Sequence, residues 1–337
     1  MAAHAATVAS THLKGSGVCH SGAVEHGSRK AILAALFANL GIAVAKLVGF
    51  FITRSAGMLA EAIHSLADTG NQALLLLGGS RARKEATPAH PFGYGRERYF
   101  WSFAVSLVLF SVGGLFALTE GIDKLKHPHK VDSVWIAVGI LVFAIGLETY
   151  SLRTAITEAN HVRDAGVGWW KFIRTSKHPE LPVVLLEDAG AELGLFAALG
   201  GILMTEATGD PRWDAAGSVV IGVLLIVIAL LLMVEMKGLL IGESASQADQ
   251  DAIAAALSAG PGVREVVHLR TQHIGPEEIL VAAKIEFDAE LTFAQLSESI
   301  DATEALVRAA TPAARMIYIE PGRRAPAPGA ASRSQPE

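Results

Sequence analysis

Six apolar stretches, at residues 31–53, 57–80, 100–122, 133–156, 182–207 and 213–237, constrain this chain more than any other feature. Each is close to the ~20 residues that an α-helix needs to cross ~30 Å of hydrocarbon. Inside lipid a segment must satisfy its own backbone hydrogen bonds, so the pattern predicts a polytopic α-helical membrane protein with six transmembrane helices. Composition agrees, with 18% of residues charged and 51% hydrophobic, whereas soluble domains carry about 25% charged residues. A net charge of −5, spread along the chain, points to no nucleic-acid partner. A single cysteine, Cys19, excludes an internal disulfide framework and any Cys-x-x-Cys metal knuckle.

The basic residues set the orientation in the lipid bilayer. Arg81, Arg83, Lys84, Arg96 and Arg98 lie between the second and third stretches, and Arg153, Arg163, Lys171, Arg174 and Lys177 between the fourth and fifth. The other loops hold Arg54 alone, then Lys124, Lys126 and Lys130, then Arg212 alone. Basic loops stay on the cytoplasmic side, which predicts that both termini are cytoplasmic.

From Gly242 the pattern becomes that of a soluble unit. A polar helical stretch from Ser246 to Ala259 precedes alternating strand-like runs at Val263 to Thr271 and Ile279 to Phe287, then a helix from Phe293 to Ala309 and a strand from Arg315 to Ile319. That order fits a small two-layer α+β domain. The chain thus reads as a disordered tail (1–29), a transmembrane domain (30–242), a cytoplasmic α+β domain (243–320) and a disordered Pro/Ala/Arg/Ser-rich tail (321–337).

Ionisable residues inside apolar stretches are costly and by default mark an ion or substrate pathway. In the second stretch His64 and Asp68 stand at i and i+4 on one helix face, with Glu61 a turn before and Asn71 a turn after. In the fifth, Asp188 and Glu192 share a face while Glu187 points about 100° away. At ~1.5 Å per residue, His64 and Asp68 fall roughly 10 and 16 Å below the outer edge and Asp188 ~16 Å above the inner edge, so the three can meet near the midplane. A divalent cation explains so many carboxylates, because imidazole and carboxylate suit zinc, cobalt, iron or manganese, and the ion offsets the cost of burying anions. Lys46 is expected to snorkel or pair with an acid, Asn39 to bond between helices, and Glu148 to pair with Arg153.

These motifs resemble one family. A His-x-x-x-Asp in the second stretch, an Asp in the fifth, His90-Pro-Phe-Gly-Tyr-Gly-Arg-Glu-Arg between the second and third, Asp214 opening the sixth and an α+β tail are similar to the cation diffusion facilitators. Glu-Ala-Ile-His-Ser-Leu-x-Asp-Thr-x-Asn-Gln and Leu-Leu-Glu-Asp resemble its zinc-transporter-9-like branch. The resemblance implies a homodimeric antiporter that exchanges a divalent metal for protons, with a ferredoxin-like tail domain that assists dimerisation. Carried over, the transport site is His64, Asp68 and Asp188. Most of the family has a histidine where Val184 stands, so either water, Glu187 or Glu192 completes a zinc tetrahedron or the site is built differently. His268 and Glu320 match cytoplasmic ligand positions, but Lys284 and Tyr318 replace expected histidines. His90 matches a loop site whose companion histidine is here Tyr94. The N-terminal His4, His12, Cys19, His20 and His26 read as ordinary tail residues.

The expected function is a secondary transporter that carries Zn²⁺, or alternatively Mn²⁺, Fe²⁺ or Co²⁺, out of the cytoplasm in exchange for protons, with no resident cofactor. The setting favoured is the inner membrane of a bacterium, with an organelle membrane as the alternative. Two other classes stay open, a non-transporting metal sensor or scaffold and a metal-dependent membrane enzyme. His-Glu-x-x-His and a Walker lysine are both absent, which weighs against the enzyme.

Overall fold

A computed structural model describes residues 17–53, 56–128, 134–163 and 166–323, without the side chains of residues 17–27, 53, 56–61 and 63. His4, His12, the tail beyond residue 323 and the side chains of Cys19, His20, His26 and Glu61 lie outside the described residues. Residues 22–241 form one compact unit, and residues from Gly242 onward build the other.

The first unit is a helix bundle. Its elements are α1 (Gly17–Thr53), α2 (Ala56–Ala82), α3 (Glu97–Val108), α4 (Phe116–Lys126), α5 (Val134–Val162), the short α6 (Trp169–Thr175), α7 (Glu180–Thr208) and α8 (Arg212–Ile241). α3 and α4 are one continuous rod, joined through a wider π-helical turn at Leu109–Leu115. Ser28–Ile52, the α3–α4 rod, α5 and α8 are long and apolar enough to cross a membrane. α1 begins at Gly17, so the second half of the expected disordered tail is helical instead. Once a span is nucleated, each added residue gains a hydrogen bond at little cost, which lets a helix run past its lipid-length core.

The bundle is apolar on the outside as well as within. Phe37, Phe51, Trp135, Leu193, Phe196 and Val234 are all exposed, Trp135 at 76%. A soluble monomer rarely shows so much exposed apolar surface, whereas lipid covers it at no cost. Polar side chains turn inward, with Asn71, Gln72, Glu148, Ser151, Glu187 and Asp188 all buried. α8 sits at the centre of the packing, against α7, α3, the π turn and α4. Glycines permit the closest approaches. A Cβ on Gly114 would lie 2.6 Å from Ile226, and one on Gly222 would lie 2.5 Å from the backbone nitrogen of Leu118.

The second unit is a three-stranded sheet with two helices. α9 (Gln247–Ser258) precedes β1 (Val263–Gly275) and β2 (Glu278–Phe287), and α10 (Phe293–Ala310) precedes β3 (Ala314–Pro321). The strand order is β1-β2-β3, with β1 antiparallel and β3 parallel to β2. Residues Ile279, Val281, Ala283, Ile285 and Phe287 of β2 are buried while their neighbours are not, the period-2 pattern of a sheet covered on one face. Ile253, Leu257 and Val307 from the helices join that core. Both helices start at defined caps. Ser246 accepts from the Asp249 amide, and Thr292 forms a reciprocal capping box with Gln295.

Candidate metal centre

The one-turn spacing on α2 brings His64 and Asp68 together, with Nε2 3.7 Å from Oδ2. Both side chains stay about a quarter exposed, at 25% and 20%, because they face a cavity of about 150 Å³ inside the bundle. Glu148 and Glu187 line the same cavity, as do Asn39 and Lys46. Lys46 is buried, so it does not snorkel outward. Towards one end the lining includes Glu120 and Lys124. There the Lys124 amine lies 3.2 Å from Glu120 and 3.6 Å from Asp214. The π turn abuts the centre, since a Cβ on Gly113 would lie 3.8 Å from His64 Cε1. Wider turns of this kind recur at functional sites.

The carboxylates of α7 hold three different positions. Asp188 is fully buried and does not line the cavity. Its Oδ2 accepts from Ser151 Oγ of α5 at 2.5 Å, and among the described residues Oδ1 has no hydrogen-bond partner. Glu187 is clasped by α2, accepting from Asn71 Nδ2 at 3.0 Å and from Gln72 Nε2 at 2.7 Å. Glu192 accepts from Thr149 Oγ1 at 2.7 Å through one oxygen. Asp68 lies within electrostatic range of Asp188, Glu187 and Glu148. Among the described residues, no three His, Cys, Asp or Glu side chains converge tightly enough to hold a metal ion. The candidate donors are therefore neighbours and not a formed ligand set.

Glu148 does not pair with Arg153. It is 1% exposed and lies within electrostatic range of the carboxylates of Asp188, Asp68, Glu187 and Glu192. At 3.6 residues per turn, position 153 lies about 140° around the helix from position 148, so the expected pairing fails on geometry. A buried acid in the middle of a long apolar helix was itself a signal for this residue.

The outlying candidates are separate from this cavity. His90 is exposed in the loop after α2, its ring tilted against that of Tyr94 at 4.6 Å between centroids and its backbone bridged to Thr87. His268, Lys284 and Glu320 occupy one cross-strand row of the sheet, and the Lys284 amine donates to Glu320 at 2.9 Å. Tyr318 pairs across the sheet with Ala282. The lysine amine thus occupies the carboxylate that a metal at this row would need.

An acid-lined cavity inside an apolar helix bundle, joined in sequence to a small α+β unit, defines a membrane protein with a buried polar centre. Residues 32–241 match the cation efflux transmembrane domain and residues 245–322 the cation efflux protein cytoplasmic domain. The chain belongs to the cation diffusion facilitator family. The mitochondrial proton-coupled zinc antiporter SLC30A9 of Xenopus laevis is 32% identical over 276 residues, 82% of this chain and 49% of that protein. The magnetosome protein MamM of Magnetospirillum gryphiswaldense is 26% identical over 258 residues, 75% of each chain. A nickel form of the MamM CTD is 30% identical and covers 24% of this chain and 100% of that one, with a TM-score of 0.22. The chain spans about half the length of the zinc antiporters that it matches.

Proposed function

We propose that this protein is a homodimeric secondary transporter that exports a divalent transition-metal cation, zinc first, from the cytoplasm in exchange for protons. The observation that carries the reading is the cavity in which His64 and Asp68 stand beside further buried carboxylates within an apolar bundle. The relatives support zinc through the name of the SLC30A9 antiporters, and the matched cytoplasmic domain supports a dimer. Mn²⁺, Fe²⁺ and Co²⁺ are within reach of the same donor types.

Six helices of the bundle, counting the α3–α4 rod as one, serve as spans in this reading. α2 and α7 carry the polar residues, and their apolar faces, with Leu66, Leu193 and Phe196 exposed, suit lipid. His64, Asp68 and Asp188 form the transport site. Their unprotonated forms bind metal, so loading releases protons and unloading takes them up. Exchange then requires only that the site open to one side with metal and to the other with protons, by rocking of helix groups about it. The basic loops put both termini in the cytoplasm, and export suits a bacterial inner membrane.

The test is a metal-competition flux assay in proteoliposomes with an imposed pH gradient. The reading expects zinc flux that follows the proton gradient and releases no covalent product. Metal binding without flux would mark a sensor or scaffold instead, and turnover of a substrate would mark an enzyme.

A further inference from the structure

We propose that Glu148, on α5, is a further ligand of the transported ion and completes the donor set that Val184 leaves short. This rests on the transport reading above. His64, Asp68 and Asp188 supply three donors where zinc takes four, and Val184 is fully buried in the apolar core with nothing to offer.

The three acids that could fill the fourth place differ in what they already do. Glu187 accepts from Asn71 and Gln72 through both oxygens, so α2 already holds its carboxylate in place. Glu192 does not line the cavity; Thr149 holds one of its oxygens, and the other, like Asp188 Oδ1, has no hydrogen-bond partner among the described residues. Glu148 lines the cavity with His64 and Asp68, is 1% exposed, and among the described residues makes no hydrogen bond or ion pair. What surrounds it is acidic, namely Asp188, Asp68, Glu187 and Glu192. Lys46 and Lys124, the cavity's cations, each have interactions of their own. A buried acid without a donor is costly unless something charged and mobile supplies the partner, and a divalent cation does so.

The position of α5 fits this role. Ser151, one turn beyond Glu148 on the same face, donates to Asp188, so a single helix face holds one ligand in place and presents another. The resulting set of one imidazole and three carboxylates is harder than the family's two-histidine pattern and favours manganese and iron(II) more, relative to zinc.

The experiment is equilibrium binding of Zn²⁺ and Mn²⁺ to the purified full-length protein in detergent, comparing wild type, Glu148→Gln, Glu187→Gln and Asp68→Asn. Glutamine reproduces the shape and hydrogen bonding of a protonated glutamate but loses the anionic oxygen. Glu148→Gln is expected to weaken both metals by roughly 10–100-fold, manganese more than zinc, while Glu187→Gln changes either by less than about threefold. Unchanged affinity in Glu148→Gln beside loss of binding in Asp68→Asn overturns the inference and leaves the transport site standing. Unchanged affinity in both overturns the site reading itself. If Glu148→Gln does not give a folded protein, Glu148→His decides. A ligand at 148 shifts the zinc-to-manganese affinity ratio towards zinc, and an unchanged ratio overturns the proposal.

Discussion

The two units of this chain treat acidic side chains in opposite ways. In the cytoplasmic unit several acids are matched by a base at contact distance: Arg264 with Asp288, Lys284 with Glu320, Arg308 with Glu304, Arg315 with Glu278. The ends of the helix bundle follow the same practice, with Arg98 3.3 Å from Glu180, Lys30 3.4 Å from Glu158 and Arg174 3.1 Å from Glu235. The middle of the bundle does not. Asp188 is held by a hydroxyl, Glu187 by amides, and Glu148 faces other acids. Fixed bases give a surface its solubility and its helix ends their anchors. In the transport reading, acids that no fixed base holds keep room for a cation that comes and goes.

The largest expected effect comes from breaking the unmatched cluster. Asp68→Ala and Asp188→Ala each remove a donor that no fixed base replaces, and each is expected to lower zinc-stimulated proteoliposome flux by roughly 100-fold or more, at or beyond the upper end of what supporting residues cost. Size-exclusion profiles should stay those of the wild type, because neither residue ties a surface together. Full flux in either variant removes it from the transport site.

Glu187 tests the opposite idea, that an acid in the bundle can be structural. Glu187→Ala leaves the Asn71 and Gln72 amides buried without their acceptor, and each orphaned group costs about 1–3 kcal/mol. The thermal unfolding midpoint should fall while zinc affinity per folded molecule holds. A loss of affinity with an unchanged midpoint would instead make Glu187 a ligand.

The cytoplasmic row can be turned the other way. Lys284→His places an imidazole between His268 and Glu320, and releases the carboxylate that the lysine amine now holds. One additional equivalent of zinc per chain is expected by calorimetry. Stoichiometry equal to wild type would mean that the lysine is not what keeps this row free of metal.

Much of this organisation was legible in the sequence, because two strong constraints wrote it there. Lipid demands long apolar helices, and over the described residues all six apolar stretches fall within helices of the bundle, with α1 starting well before its stretch, at Gly17. The alternation of Ile279 to Phe287 and the Thr292-x-x-Gln295 cap mark their strand and helix equally plainly. His64 and Asp68 were legible as an i, i+4 pair. What the sequence hid depends on neighbours from other helices. The π turn at Leu109–Leu115 has no periodic signature, and the clasp on Glu187 joins α2 to α7 across more than a hundred residues. For Glu148 the sequence suggests a local partner, Arg153, whereas its surroundings come from α2 and α7.

The smallest expected effect belongs to Val184. It lies one helical turn before Asp188, on the same face, yet is fully buried among apolar side chains. Val184→His tests whether that face reaches the ion. The larger, polar ring should cost about 1–3 kcal/mol of stability through overpacking alone. If the imidazole also reaches the cation, the softer donor set should raise the zinc-to-manganese preference by up to roughly tenfold, about 1.4 kcal/mol in relative binding. Competitive flux of the two ions reads this ratio independently of how much folded protein survives. An identical ratio in wild type and variant means that position 184 belongs to the core and that the donor set is completed from another helix, which is the place that α5 holds.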